Sequence, residues 1–272
     1  MSIDEIKSRA ELSRFIESYW HFNGCIQPDL VLLPDGTFHV IIVTSTFLWE
    51  NMEFPSGIYL VPISTQPIHI VSSGCIFGIR FKAFSLQNII GKKAGLVKRI
   101  NELETLIPGT FNKEIIQSDL GGLAELKEKK SALENLAFDL LNKQYFINEQ
   151  LRAQVNYILD RKGDIRVSEL CSEMSITRQG LHKNFVASLG IGPKELAMTW
   201  KLNHYFTLLS QEQSLTETAI DAGFFDQAHS INSFKTRWNV SPGSLRRSDP
   251  HFFQYAQDTM RKRFSNFFDP ES

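Results

Sequence analysis

The apolar positions along the chain follow two different periods. From Val31 to Phe84 they come in short β-rich runs: VLL and FHVIIVT on either side of Pro34-Asp35-Gly36, then GIYLVP, PIHIVSS and CIFGIRFKAF. Pro-Asp-Gly is a turn signature, because Pro presets φ, Asp bonds its own backbone and Gly accepts positive φ. Short strands with turn residues between them predict a small sandwich or barrel. Residues 44–57 show no clear period. Ahead of the strands, Ile3, Ile6, Ala10, Leu12, Phe15 and Ile16 fall at helical spacing and predict a helix over 3–18.

Period 3.6 returns near Phe84. LQNIIG and LVKRINELETLI read as helices, and 120–147 is the longest helical pattern, with Leu123, Leu126, Leu133, Leu136, Leu140 and Leu141 on one side. Leu126, Leu133 and Leu140 are seven apart, but fewer than four heptads do not make a coiled coil. This helix either packs within the chain or forms a homodimer contact. Phe146–Gln150 reads as a hinge. The predicted fold class is α+β: a β-rich domain with flanking helices over 1–110, a helical connector over 111–149, an all-helical region over 150–250 and a tail over 251–272.

The all-helical region holds one layout twice. In the second copy, Leu215, Ala219 and Ala222 make a short helix, Gly223 a turn, and Ile231, Phe234 and Trp238 a longer helix that Asp226 can cap. Val240 and Ser241-Pro242 end it, since Pro disfavours helical geometry at the residue before it. In the first copy, Val167, Leu170 and Met174 precede a turn at 175–177, and Leu181, Phe185 and Leu189 follow. FVASLGIGP matches FKTRWNVSP position for position at Phe185/Phe234, Ile191/Val240 and Pro193/Pro242. A helix over 193–210 joins the copies. Two short helices about a turn form a helix-turn-helix unit.

Composition adds limits. A hydrophobic content of 42% supports packed cores. No apolar run approaches the ~18 residues of a membrane span. The charged start MSIDEIKSRAELSRF is unlike a secretory signal, so a cytoplasmic protein without a membrane partner is expected. Cys25, Cys75 and Cys171 form no Cys-x-x-Cys pair, which argues against a disulfide framework or zinc site. Residues 1–149 carry 14 Lys/Arg against 17 Asp/Glu, and residues 150–272 carry 15 against 13. That asymmetry permits a DNA-binding half.

The polar sides of the two longer helices suit that use. A major groove admits one α-helix, and Gln or Asn can pair with adenine while Arg or Lys can pair with guanine or phosphate. The first helix offers Arg178, Gln179, His182 and Lys183. The second offers Gln227, His229, Asn232 and Ser233, with Lys235 and Arg237 further round. Two readers roughly 34 Å apart could enter successive major grooves on one side of double-stranded promoter DNA. A solvated polar face is the ordinary alternative for either copy alone, and the repetition counts against it.

These residues together resemble the AraC/XylS family of bacterial transcription regulators. The second copy carries Ala219, Gly223-Phe224, Asp226-Gln227-Ala228-His229, Phe234-Lys235, Val240-Ser241-Pro242 and Arg246; the first carries Leu170, Leu181, Phe185, Gly190 and Pro193. The likeness spans Leu151 to Arg247. It implies that the base-reading positions are Gln179, His182 and Lys183 in the first helix, and Gln227, His229, Ile231 and Asn232 in the second. It also implies an activator that touches RNA polymerase. Four positions depart from the family pattern: Ser230 stands for a bulky apolar residue, Asn232 for Arg, Tyr205 for Ala and Thr218 for Ile. Tyr19-Trp20, Leu33-Pro34-Asp35-Gly36-Thr37 and Gly78-Ile79-Arg80-Phe81 resemble the sensor-type domain of some members, which implies a small-molecule effector or a partner for the N-terminal half.

Other chemistry finds little support. His39 and His69 lie on strand-like runs without a partner at ligand spacing, so no metal and no cofactor are expected. No nucleophile-elbow, phosphate-loop or metal-hydrolase motif occurs, and the chain is not read as an enzyme. Arg80 within an apolar strand needs a partner. It either pairs with Asp35 or binds an anionic effector, and pairing is the commoner outcome. The basic-aromatic tail HFFQYAQDTMRKRFSNFF packs on the core or serves self-association. The reading from another class is a small-molecule-binding or enzymatic β-domain with a helical tail that reads nothing.

Overall fold

The computed structural model describes residues 3–26, 29–120, 125–141, 147–209 and 214–248, with 253, 254, 256–258, 260 and 261 of the tail. Its first part contains β1 (Asp4–Lys7), a single turn α1 (Ala10–Ser13), β2 (Ile16–Asn23), β3 (Asp29–Leu32), β4 (Phe38–Val43), β5 (Phe47–Trp49), β6 (Met52–Phe54), β7 (Gly57–Val61), β8 (Ile68–Ser72) and β9 (Cys75–Phe81). Then come α2 (Leu86–Ile90), a 3-10 segment Gly91–Leu96, β10 (Asn101–Glu102) and α3 (Leu103–Leu106). Helices α4 (Lys113–Leu120) and α5 (Leu126–Leu140) lead into the C-terminal region. That region holds α6 (Glu149–Asp160), α7 (Val167–Glu173), α8 (Arg178–Leu189), α9 (Pro193–Leu208), α10 (Leu215–Asp221), α11 (Gln227–Trp238) and α12 (Pro242–Ser248).

Of the two expected β architectures, the sandwich is present. A six-stranded sheet in the order β1-β2-β9-β4-β7-β10 meets a four-stranded sheet in the order β3-β8-β5-β6, and neither closes into a barrel. Side chains alternate across a strand. Trp20, Phe22, Ile41, Tyr59 and Ile76 of the large sheet therefore face Leu30, Leu32, Phe47, Ile68 and Ile70 of the small one in one buried cluster. The alternate set, Tyr19, Val40, Ile42, Leu60, Phe77 and Ile79, faces the other way and is covered by helices. This double burial explains why β4 and β9 read as continuous apolar runs.

Two local expectations fail, and one unassigned stretch is resolved. Residues 3–18 do not form one helix. β1 pairs with β2 from Asp4↔His21 to Lys7↔Ser18, and only Ala10–Ser13 coils. Pairing at a sheet edge outweighs local helical spacing. Residues 44–57 contain the β5–β6 hairpin, whose turn residues Glu50 and Asn51 both have positive φ (49° and 62°). That turn usually announces itself as Asn-Gly or Asp-Gly, which this chain lacks there. In LVKRINELETLI only Leu103–Leu106 is helical, because Asn101 and Glu102 pair with Leu60 and Tyr59 of β7.

The long leucine pattern divides into α4 and α5. Leu126, Leu133, Leu136, Ala137 and Leu140 are all buried within the chain, in the cluster on the helical side of the large sheet. The surface that suggested a homodimer contact is thus used internally; Leu123 lies outside the described residues. Of the expected hinge at 146–150, Phe146 also lies outside them, and Glu149 and Gln150 already belong to α6, which Asn148 caps, its Oδ1 accepting from Leu151 N at 3.0 Å. Cluster membership shows how the two halves meet. Leu181, Phe185, Leu196 and Trp200 of the C-terminal region belong to the same cluster as the helical side of the large sheet. Tyr205, Phe206, Ala219, Phe224, Phe234 and Trp238 form a separate one, joined by Phe253, Ala256 and Met260 of the tail.

Candidate nucleic-acid interface

Each helix-turn-helix unit is built by short-range rules. In the first, Thr177 caps α8, its hydroxyl accepting from Gly180 N at 3.1 Å, and Gly190 ends the helix in the left-handed region at φ 78°. In the second, Ser214 and Glu217 cap α10 reciprocally, the serine hydroxyl and backbone N–H together drawing the glutamate pKa down. Gly223 makes the turn at φ 79°, and Asp226 Oδ1 accepts from His229 N at 2.7 Å to start α11. Asn239 ends α11 at φ 56°. Between the units, α9 starts on Pro193, with Glu195 Oε2 accepting from Gly192 N at 2.7 Å.

The buried residues of each longer helix fix its outward face. On α8, Leu181, Phe185, Ser188 and Leu189 are buried, and Arg178, Gln179, His182 and Lys183 stand exposed together. On α11, Ser230, Phe234 and Trp238 are buried. At roughly 100° per residue, the opposite side carries Ala228, His229, Asn232, Lys235 and Thr236, and all five are exposed. Gln227 is turned toward α10, where Thr216 Oγ1 donates to its Oε1 at 2.9 Å. Ile231 and Arg237 sit on the flanks. Burial lowers the Arg237 pKa, and Glu195 opposes that shift. Ala228 and Thr236 were missed by sequence reasoning, although counting from Phe234 would have placed them. His204 on α9 is pushed down to about 4 by burial and by Lys162, so it carries no charge at neutral pH.

Two departures from the family pattern compensate for each other. Ser230 is small where a bulky apolar residue is usual, and Tyr205 is large where Ala is usual. In the structure the Tyr205 ring fills the space, edge-on to Phe224 at 5.6 Å and to Phe234 at 6.4 Å, with its hydroxyl directed at Ser230. Thr218 is fully buried but satisfied, since its hydroxyl donates to Ser214 O at 3.0 Å. Tyr205→Ala should therefore cost about 3–5 kcal/mol. Adding Ser230→Phe should recover about 1–3 kcal/mol of that in a double-mutant cycle by urea unfolding. Strictly additive effects would show that the two sites do not share one space.

Arg80 resolves as a structural pair. Its Nε lies 3.3 Å from Asp35 Oδ2, and a terminal nitrogen bonds Glu5. The N-terminal half also bears on the first unit. A Cβ on Gly95 would stand 2.6 Å from Val186 O, so the 3-10 segment touches the end of α8 backbone to backbone. The Lys98 ammonium bonds the Gly190 carbonyl beside it, where a cation complements a helix C-terminus.

A family model described as a helix-turn-helix domain matches residues 170–248, which contain both units. That region is a helix-turn-helix domain of the AraC type. A domain of this type supports DNA binding and transcription regulation by the chain. Residues 4–99 match a domain of unknown function, DUF6597. No curated protein matches the chain. Among solved structures it is similar to ToxT from Vibrio cholerae, at 14% identity over 89% of this chain and 95% of that one, with a TM-score of 0.44. ToxT with an unsaturated fatty acid bound covers 79% of this chain and 94% of its own, at 14% identity and a TM-score of 0.43. The xylose-binding transcription activator XylR covers 45% of this chain and 37% of its own, at 16% identity and a TM-score of 0.33. No helix among the described residues is long and apolar enough to cross a membrane.

Proposed function

We propose that this regulator binds promoter DNA sequence-specifically, with α8 and α11 entering successive major grooves. The observation that carries this reading is the exposed polar face that both helices turn away from their buried residues: Arg178, Gln179, His182 and Lys183 on one, His229, Asn232 and Lys235 on the other, with Lys183 and Asn232 at the equivalent position of the repeat. Gln227, Ile231 and Arg237 then serve at the margins, against phosphate or thymine methyl groups. Activation through contact with RNA polymerase rests on the family resemblance alone. A groove of about 680 Å³ supports a small-molecule effector that touches both halves. Its walls are Trp49, Pro62–His69 and Val97–Ile100 on one side and Gly190, Ile191 and Glu195 on the other, and its volume suits a small organic ligand.

The test uses the full chain and a duplex that it selects from a random library. Binding should exceed that to random DNA and should fall steeply with salt, as counterion release requires. Lys183→Ala and Asn232→Ala should each cost about 1–3 kcal/mol on the selected duplex and relax base preference at their own positions. Equal, salt-insensitive binding to selected and random DNA would sink the reading.

A further inference from the structure

Three stretches of the N-terminal half that no DNA contact explains converge on one point. Trp20 pairs across the sheet with Gly78, and a Cβ on Gly78 would lie 1.9 Å from the indole, so the ring lies flat over that glycine. The indole N–H donates to His39 Nδ1 at 3.2 Å. His39 is the cross-strand partner of Arg80, and both approach Asp35: His39 Nε2 at 3.8 Å and Arg80 Nε at 3.3 Å. Asp35 also accepts from Thr37 N at 2.9 Å, which closes the loop Leu33–Thr37 on itself. The inner side of this loop is thereby fixed by a buried polar network.

Its outer side grips α9. Pro34 O accepts from Asn203 Nδ2 at 2.9 Å in a fully buried contact. Gly36, at φ +75°, passes under Trp200 so closely that a Cβ would stand 2.5 Å from the indole nitrogen. Leu33 packs into the second unit's own core. Trp200 and Asn203 are three apart and share one face of the helix. We propose that the loop Leu33–Thr37 positions the second reading helix: gripped through Trp200 and Asn203, α9 holds α11 at one distance and rotation from α8. This rests on the reading of α8 and α11 as DNA readers.

The division of the cores shows why such an element is needed. The first unit is fixed because its core is continuous with the N-terminal half. The second has a core of its own and reaches the rest through α9, through Leu33 and at its turn, where Gly223 lies against the Asp164 carboxylate. A helix of 16 residues is about 24 Å long, and a small swing at its start becomes a large displacement at α11. Each base pair added between half-sites turns the second by roughly 35°. A gripped pair of readers accepts one spacing, and a released pair accepts several. The N-terminal half so acts on DNA recognition without touching DNA.

The experiment measures binding of the full chain to its selected duplex and to derivatives with one or two base pairs inserted or removed between the half-sites. The wild type should lose at least about tenfold in affinity per changed base pair, whereas Asn203→Ala should lose under about threefold on the same series. Loss of folding alone would lower all affinities together and leave the spacing profile unchanged. Leu33→Ala, at a partly exposed position, makes the same test if Asn203→Ala folds poorly. Hydrogen exchange of the free chain should show α10 and α11 losing protection in the variant while α7 and α8 keep theirs. Unchanged spacing profiles in both folded variants, or a flat profile in the wild type, would overturn the proposal. A wild type that selects no sequence would instead sink the DNA-reading assignment beneath it.

Discussion

Arg80→Met should lower the free energy of unfolding by about 3–5 kcal/mol. The residue is 5% exposed, and so is its partner Asp35. Methionine nearly fills the volume and withdraws the charge, which leaves the Asp35 carboxylate buried without its cation. The Coulomb attraction and the hydrogen bonds from Arg80 to Glu5 and Ser18 go with it. Urea unfolding with an unchanged slope would report the loss as stability rather than altered compactness. Removing the acids as well, in Arg80→Met/Asp35→Asn/Glu5→Gln, should restore much of it, since a buried ion pair replaced whole is often neutral. A loss below about 1 kcal/mol in the single variant would show that water already relieves the carboxylate.

The two repeat phenylalanines should behave differently although their positions are equivalent. Phe185→Ala and Phe234→Ala each delete a fully buried ring and should each cost about 3–5 kcal/mol. Phe185 lies in the core that runs through both halves, so its loss should move the main unfolding transition of the whole chain. Phe234 stacks on Trp238 at 4.8 Å inside the second unit's own cluster. Its loss should split off a separate, earlier transition confined to that unit, visible to calorimetry as a second peak. Such a peak ends two-state behaviour. One unsplit transition in Phe234→Ala would show that the second unit is welded to the rest more firmly than its packing indicates.

The C-terminal units were legible in the sequence because their determinants are local. Thr177, Asp226, Gly190 and Gly223 act within four residues, and the spacing of Leu181, Phe185 and Leu189 fixes a face without reference to anything distant. The same counting placed Lys183 and Asn232 outward. It did not foresee Gln227 turning to Thr216, because that bond depends on where α10 lies. β1 was misread for a similar reason. Its partner β2 comes a dozen residues later, and Ile3 and Ile6 satisfy helical spacing equally well. The contact of Asn203 with Pro34 spans 169 positions, and no local pattern announces it. The pairing of Tyr205 with Ser230 lay between these cases: each departure was visible, and only the packing showed that one answers the other.

The continuity of the first core has a consequence for modularity. Sequence comparison invites a cut near Glu149, which would let the remaining chain be grafted onto a foreign partner as a ready-made DNA reader. Leu181, Phe185, Leu196 and Trp200 share their core with the N-terminal half, and such a graft would carry bared apolar surface with it. The exchangeable piece begins later. From α10 onward, the second unit keeps most of its core residues among themselves and on the far end of α9. A chimera joined within α9, beyond Asn203, would trade one recognition specificity for another and leave the N-terminal packing whole.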